Sequence, residues 1–330
     1  MKKSIIITVA IAVTMLVSTT AFAATEIKFA HVGSLEHQYN VGAEAFKKLV
    51  EERSNGSIKV TIFPQSQLGN ERDAIEGIRM GTINMTTVAA AGALASFVPE
   101  MSVIAIPYVL ETRQQAYKVL DGPFGKKLNG LIEKKGFKNL AFWEIGFRNF
   151  TNSVRPIKSP ADMKGLKIRV QESKSWMEMI KKLGAVPTPV SFGELYSALQ
   201  QKVVDGQENP TASIYSMKFY EVQKYMTLDG HTYEASVVIV NPKWFNSLPE
   251  ADQRLITKAA IDAGNIQRDT LAKLDTTRLA EMKKAGVNIE ENPDRKAFRE
   301  ATKDIAALLE REGIPKELIN GFADAAGKAK

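Results

Sequence analysis

Cysteine is absent from all 330 residues. That excludes disulfides and cysteine-rich zinc sites, and it excludes a lipid anchor, which needs a cysteine at the cleavage point. Histidine is scarce: His31, His37 and His231 are all there is, and none forms HExxH. Neither G-x-S-x-G nor G-x-G-x-x-G occurs. The stretch DGPFGKKLNG departs from a phosphate loop in its glycine spacing and has no Ser or Thr after lysine. Beyond the N-terminus no apolar run approaches the ~20 residues that span a bilayer. Nor is there a dense Lys/Arg tract with interleaved aromatics. The formal charge of +7 is spread through segments such as KKLVEERSNG and NPDRKAFREATKD, which argues against nucleic acid as a partner. Acidic residues number 37, so a carboxylate pair picked from sequence alone identifies no catalytic site.

What is present begins with an address. Lys2 and Lys3 form a basic n-region, Ile5–Val17 is an almost unbroken apolar run, and Ala21-Phe22-Ala23 is a small-x-small cleavage signal. Residues 1–23 therefore read as a secretory signal peptide, and the mature chain is expected to be exported, soluble and periplasmic. About 300 mature residues are enough to build a core without covalent staples, in two lobes. A mildly basic exported chain suits a small anionic ligand.

Strands and helices alternate. EIKFAHVGS, SIKVTIFP and TINMTTVA read as strands. Between them lie a helix with Ala43, Phe46, Leu49 and Val50 on one stripe, closed at Asn55-Gly56, and a shorter one in LGNERDAIEGIRMG. The pattern restarts after NLAFWEIGFRNFTN, with GLKIRV as a strand and SWMEMIKKLG and FGELYSALQQKVVDG as helices, the latter ended by glycine. EASVVIVNP is a further strand. Ser247-Leu248-Pro249-Glu250 reads as a capping box that opens a helix running to about Ala285, with Leu255, Ala259, Ala263 and Ile266 on one face. This alternation predicts an α/β fold with a parallel-type sheet, whose ligands bind beyond the strand carboxyl ends.

Three residues stand at such ends. In GLKIRVQES, Leu166, Ile168 and Val170 share one face, which leaves Lys167 and Arg169 on the other. Arg148, in GFRNFTNS, follows an apolar strand, and Asn209 precedes Pro210 in VVDGQENPTAS. Two arginines at strand ends match a carboxylate bidentately. The plainer alternatives are a surface loop for Arg148, a structural ion pair with Glu172 for Arg169, and a helix N-cap for Asn209 with Pro210 in the first helical position.

The segments GFRNFTNSVRPIKSPADMKGLKIRV, GAVPTPVSFGELYSALQQKVVDGQENP, KFYEVQKYMTL and IFPQSQLGNERDAIEGIRMGTINMT resemble the substrate-binding proteins of TRAP transporters, the DctP-type family, over essentially the whole mature chain. The resemblance implies a periplasmic solute receptor. It would close two α/β lobes over an organic acid by hinge motion and deliver it to TRAP membrane permease subunits driven by an ion gradient. The implied fold has β-strand hinges and a long helix spanning both lobes. One lobe would be residues 24–145 plus 234–275, the other residues 146–233 plus 276–330.

Carried over position by position, the resemblance implies that Arg169 is the main carboxylate-binding arginine, Arg148 a second ligand arginine and Asn209 a partner of the same carboxylate. Phe192 would wall the pocket and Glu71 would accept from ligand hydroxyls. His31 and Glu172 would sit at pocket-facing positions that vary with substrate. No metal, cofactor or catalytic group is implied. Ala89, Ala90 and Ala91 stand where the sialic-acid branch carries an acidic residue and an arginine, which argues against a bulky sialic acid. With Glu71 and His31 as first-lobe candidates, the expected ligand is a sugar acid, a hexuronate or an aldonate. The alternatives are a C4-dicarboxylate, for which Arg72 or Arg79 would have to face inward, and a secreted enzyme acting on acidic sugars.

Overall fold

The computed structural model describes residues 25–330, so the segment read as a signal peptide lies outside the described residues. Among the described residues nine strands form one sheet: β1 (Thr25–Ala30), β2 (Ile58–Phe63), β3 (Met85–Ala89), β4 (Lys138–Asn152), β5 (Lys167–Val170), β6 (Val186–Pro189), β7 (Gly206–Pro210), β8 (Tyr225–Val240) and β9 (Asn288–Glu290). Their order is β2-β1-β3-β8-β4-β7-β5-β6, with β9 beside β8. The alternation read from the sequence holds at the hydrophobic positions: Ile27, Phe29, Ile58 and Val60 are buried, while Glu26, Lys28 and Lys59 face solvent.

The sheet is mixed rather than purely parallel. β1 runs parallel to β2 and β3 in one wing, and β5 runs parallel to β6 and β7 in the other. The long strands β4 and β8 pair antiparallel and carry both wings. β3 pairs with Ser236–Val240 of β8, and β7 pairs with Arg148–Asn152 of β4. The two lobes are thus joined by a continuous ribbon. Its register slips between Glu144 and Gly146 and again between Arg148 and Phe150. Gly146 takes φ +121°, a conformation that L side chains rarely adopt, so the bulge needs glycine there.

The long helix spans Glu250–Lys284, 35 residues and ~52 Å, and it packs on β4 and on the helix Gln38–Arg53. Its start differs from expectation. Pro249 is the N-cap, and the Ser247 hydroxyl instead donates to the Trp244 carbonyl at 2.6 Å, closing the preceding short helix. Its buried face also differs: Ile256, Ala259, Ala260 and Ala263 are covered, whereas Ile266 is 45% exposed. Polar residues continue the buried stripe. Gln267 donates to the carbonyls of Gln38 and Glu144, both at 3.0 Å, and accepts from the Glu144 amide at 2.9 Å. Trp143 of β4 is clamped between this helix and Gln38–Arg53, and its indole N–H donates to the Ala260 carbonyl at 2.8 Å. The clamp closes because Gly42 and Gly264 have no side chain: a Cβ at either would come within 2.4 Å and 2.7 Å of the Trp143 ring.

Two further expectations change. The helix predicted through FGELYSALQQKVVDG is a 3-10 turn at Phe192–Glu194 and a helix Leu195–Gln200; Lys202 at φ +60° follows, and Gly206 belongs to β7. The C-terminal helix Lys316–Lys328, assigned from sequence to the second lobe, packs on the helices Arg113–Leu120 and Pro123–Lys134 of the first. Gln115 donates to the Ala326 carbonyl at 2.7 Å, and Phe124 lies 5.5 Å from Phe322.

Candidate functional site

The carboxyl ends of β3 and β5 meet across a cleft between the lobes. An outer cavity of about 530 Å³ is lined by Asn70, Glu71, Arg72, Ala93 and Ser96 on one side and by Arg169, Gln171, Glu172, Val190, Ser191 and Phe192 on the other. An inner cavity of about 290 Å³ continues it past Glu71, Arg169, Gln171 and Phe192 to His37, Tyr39, Ala89, Ile145, Arg148, Asn209 and Ser213.

Arg169 is 2% exposed although β5 begins at the exposed Lys167. Its Nε donates to the Val190 carbonyl at 2.9 Å, which fixes the plane of the guanidinium, while Nη1 is buried with no partner among the described residues. Burial pushes its pKa down to about 10, which leaves it cationic at neutral pH. Phe192 lies across it, the ring centroid 5.9 Å from Cζ. A buried cation with an unused donor, in a residue that lines a cavity, has the chemistry to hold an anion.

Arg148 sits inside β4 rather than where a strand gives way to a loop. It is 1% exposed, and its Nε and Nη2 engage both carboxylate oxygens of Glu208. Nη2 also donates to Asn209 Oδ1 at 3.1 Å. Burial would raise the Glu208 carboxyl, but Arg148 and His231 hold it below its usual value, so Arg148 is already neutralised by its partner. The chain of charges continues through His231 to Asp229 at 2.9 Å. Against the effect of burial, Asp229 and Glu208 push His231 up to about 9. Asn209 is a strand residue and not a helix cap; its amide donates to Gln207. Arg148, braced by Glu208, and Asn209 line the inner cavity together with Arg169.

The first lobe contributes neutral or acceptor groups to the inner cavity. Glu71 is the first residue of the helix Glu71–Met80, which Asn70 and Asp73 cap reciprocally. Its Oε1 accepts from the Ala89 amide at 3.0 Å and the Tyr39 hydroxyl at 3.1 Å. Burial raises its pKa, against those two hydrogen bonds and the two arginines. His37 accepts at Nδ1 from the Tyr39 amide, and burial holds it well below 6.5, so it is a neutral wall residue.

His31 lines neither cavity. It is 2% exposed, with Nε2 3.2 Å from Asn40 Oδ1, and Tyr39 packs against it edge-on. The lining histidine is His37. Glu172 lies at the exposed rim of the outer cavity. Arg72 lines the outer cavity with its Nε 3.3 Å from Glu76, whereas Arg79 stacks on Phe97 and Phe137 and lines neither cavity. Sequence reasoning missed His37, Tyr39, Gln171 and Ser213 as lining residues and Glu208 as the brace of Arg148. The signal for Glu208 was its place beside Asn209 in GQENP. Among the described residues no cluster of three His, Asp or Glu side chains is placed to hold a metal, and no helix is long and apolar enough to cross a membrane.

Comparison with known proteins gives the family and the fold. The family profile DctP, described as bacterial extracellular solute-binding protein, family 7, matches residues 29–312. The 2,3-diketo-L-gulonate-binding periplasmic protein YiaO of Escherichia coli (strain K12) is 38% identical over 284 residues, which cover 86% of this chain and 86% of its own. The C4-dicarboxylate-binding periplasmic protein DctP of Rhodobacter capsulatus is 36% identical over 265 residues, covering 79% of this chain and 78% of its own. Among solved structures, the sugar acid binding protein DctPAm from Advenella mimigardefordensis strain DPN7T, in complex with galactonate, aligns with a TM-score of 0.90. It is 35% identical and the match covers 93% of this chain and 99% of that one.

Proposed function

The chain belongs to the bacterial extracellular solute-binding proteins of family 7, the solute receptors of TRAP transporters, and from that premise we propose that it captures a sugar acid in the periplasm and delivers it to a TRAP permease. The observation that carries the ligand class is the charge balance of the inner cavity. Arg148 is neutralised by Glu208, and His37 is held neutral, which leaves Arg169 as the cation with an unused donor edge. One carboxylate is therefore accommodated. Around it stand Glu71, the Tyr39 hydroxyl and the Asn209 amide, groups that exchange hydrogen bonds with hydroxyls rather than with a second carboxylate. Galactonate in the Advenella relative and diketogulonate in the name of the Escherichia coli one support the same class. The cleft between hinged lobes supports capture by closure.

Arg72 favours a second reading. At the outer cavity it is a first-lobe cation within the cleft, where a C4-dicarboxylate would find a partner for its far carboxylate, and the Rhodobacter relative carries that ligand in its name. Calorimetric titration of the mature protein with galactonate, galacturonate, glucuronate, 2,3-diketogulonate, succinate and malate separates the two. Binding of the first four but not of succinate or malate is the expected result; the reverse assigns the cleft to dicarboxylates. The acid recovered unchanged after incubation is expected of a receptor, and its conversion would revive an enzyme. Arg169→Ala is expected to weaken binding by about 3 kcal/mol, or ~100-fold, because it strands a buried carboxylate. Arg169→Lys loses the fork and is expected to fall between. Unchanged affinity in a folded Arg169→Ala protein removes the clamp.

A further inference from the structure

We propose that Gln171, seated in the cleft by Gly92, is a ligand-recognition residue that donates from Nε2 to a hydroxyl or keto oxygen of the bound acid. This rests on the sugar-acid reading above and names the group that reads the ligand beyond its carboxylate. Gln171 lies two residues past Arg169, so the alternation of extended chain sends both side chains to the same side, and both line the outer and the inner cavity. It is 8% exposed, yet Nε2 is buried and has no hydrogen-bond partner among the described residues. A buried amide donor without a partner is costly unless something else supplies the acceptor. The described residues do not supply it, and the cavity Gln171 lines is where a ligand would.

The first lobe has been cut away to admit this side chain. Gly92 follows β3 in the run Ala90-Ala91-Gly92-Ala93, and a Cβ on it would fall 1.7 Å from Gln171 Oε1 and 2.4 Å from Cδ. The carboxamide of the second lobe therefore rests directly on the first-lobe backbone, and it reaches that seat only across a closed cleft. If filling the gap were the whole role, a thioether or leucine would do it without burying an unmet donor. A neutral donor does not read charge, which Arg169 already does. It distinguishes an acid with an oxygen acceptor along its chain from one without.

The test is titration of galactonate into the wild type, Gln171→Met, Gly92→Ala and the double variant. Methionine keeps the length and apolar bulk of the side chain and removes the donor. Gly92→Ala leaves Gln171 intact but evicts its flexible end. Each single variant is expected to raise the Kd at least tenfold with the melting temperature of the unliganded protein unchanged. The double variant is expected to add little to either, since both changes remove one interaction. A Gln171→Met protein that binds galactonate within twofold of the wild type overturns the assignment. Full additivity in the double variant overturns the seat. A wild type that binds none of galactonate, galacturonate or glucuronate overturns the ligand class itself, which is a different failure.

Discussion

Glu234→Gln isolates a buried carboxyl group that the wild type keeps protonated. Glu234 faces Gly146 across the hinge ribbon. Its Oε1 accepts from the Ala91 amide at 2.9 Å, and Oε2 is buried without a partner among the described residues. Burial pushes its pKa up to about 8, against Arg148 and the Ala91 N–H and with the help of Glu208 and Glu71. The folded value lies above the unfolded 4.5, so the folded state binds the extra proton between those two values. The associated stability is complete below pH 4.5 and is lost as pH rises through about 8, at about 1.4 kcal/mol per pH unit and ~5 kcal/mol over the interval. Glutamine mimics the protonated acid, keeps the acceptor for Ala91 and does not titrate. Chemical denaturation of both proteins from pH 5 to pH 9 is expected to show a stability gap that is small at pH 5 and widens in favour of the variant to pH 8. The His231 transition near pH 9 is common to both and cancels. Parallel stability curves refute the argument. On the proposed function the same charge acts on binding: ionised Glu234 adds a negative group near Arg148 of the inner cavity, so acid affinity is expected to fall above pH 8 in the wild type and not in Glu234→Gln.

Two further outcomes follow from packing and titration. Gly42→Ala drives a methyl group into the Trp143 ring between two helices that cannot separate cheaply; it is expected to cost about 2 kcal/mol, read as a fall of several degrees in Tm. His31 is held at about 4 by burial, below its unfolded 6.5, so its contribution is present above pH 6.5 and lost as pH falls through about 4. A His31→Gln protein is expected to lose less stability than the wild type between pH 6.5 and 4 in denaturant midpoints, and an identical acid slope removes His31 as the cause.

The fold was legible where one local rule decides it. Period-two burial marks β1 and β2, and the helix Glu250–Lys284 announces itself by length alone. Errors arose where two rules competed for the same residues. Ser247 fits a capping box, but the short helix Pro242–Ser247 in front of it uses that hydroxyl first. The N-cap held as an alternative for Asn209 fails for a different reason: pairing with Asn149 of β4 makes it a strand residue, and no local pattern reports a partner 60 positions away. Ile266 fits the apolar stripe of the long helix. Gln267 took the buried place because the Gln38 and Glu144 carbonyls needed a donor there.

The site was legible in its residue types and not in its partnerships. Both arginines, Asn209, Phe192 and Glu71 do line the cleft, yet the two arginines are not equivalent, and nothing in their sequence neighbourhoods separates them. The distinction is made by β4–β7 pairing, which sets Phe150 opposite Glu208 and Arg148 opposite Pro210 and so brings the Glu208 carboxylate to the Arg148 guanidinium. Arg169 receives only a backbone carbonyl from Val190, because β6, its neighbour on the other side, is the four-residue edge segment Val186–Pro189 and offers no carboxylate. The unpaired charge is therefore a product of where the sheet ends. An acid engineered opposite it on β6, as in Thr188→Glu, would need to reach that guanidinium from across the register pair Arg169–Thr188. If it did, it would satisfy Arg169 internally and close the site to an external carboxylate. A cleft that keeps one buried cation unsatisfied gives up folding stability for ligand affinity, and on the proposed function Arg169 is the residue at which that exchange is made.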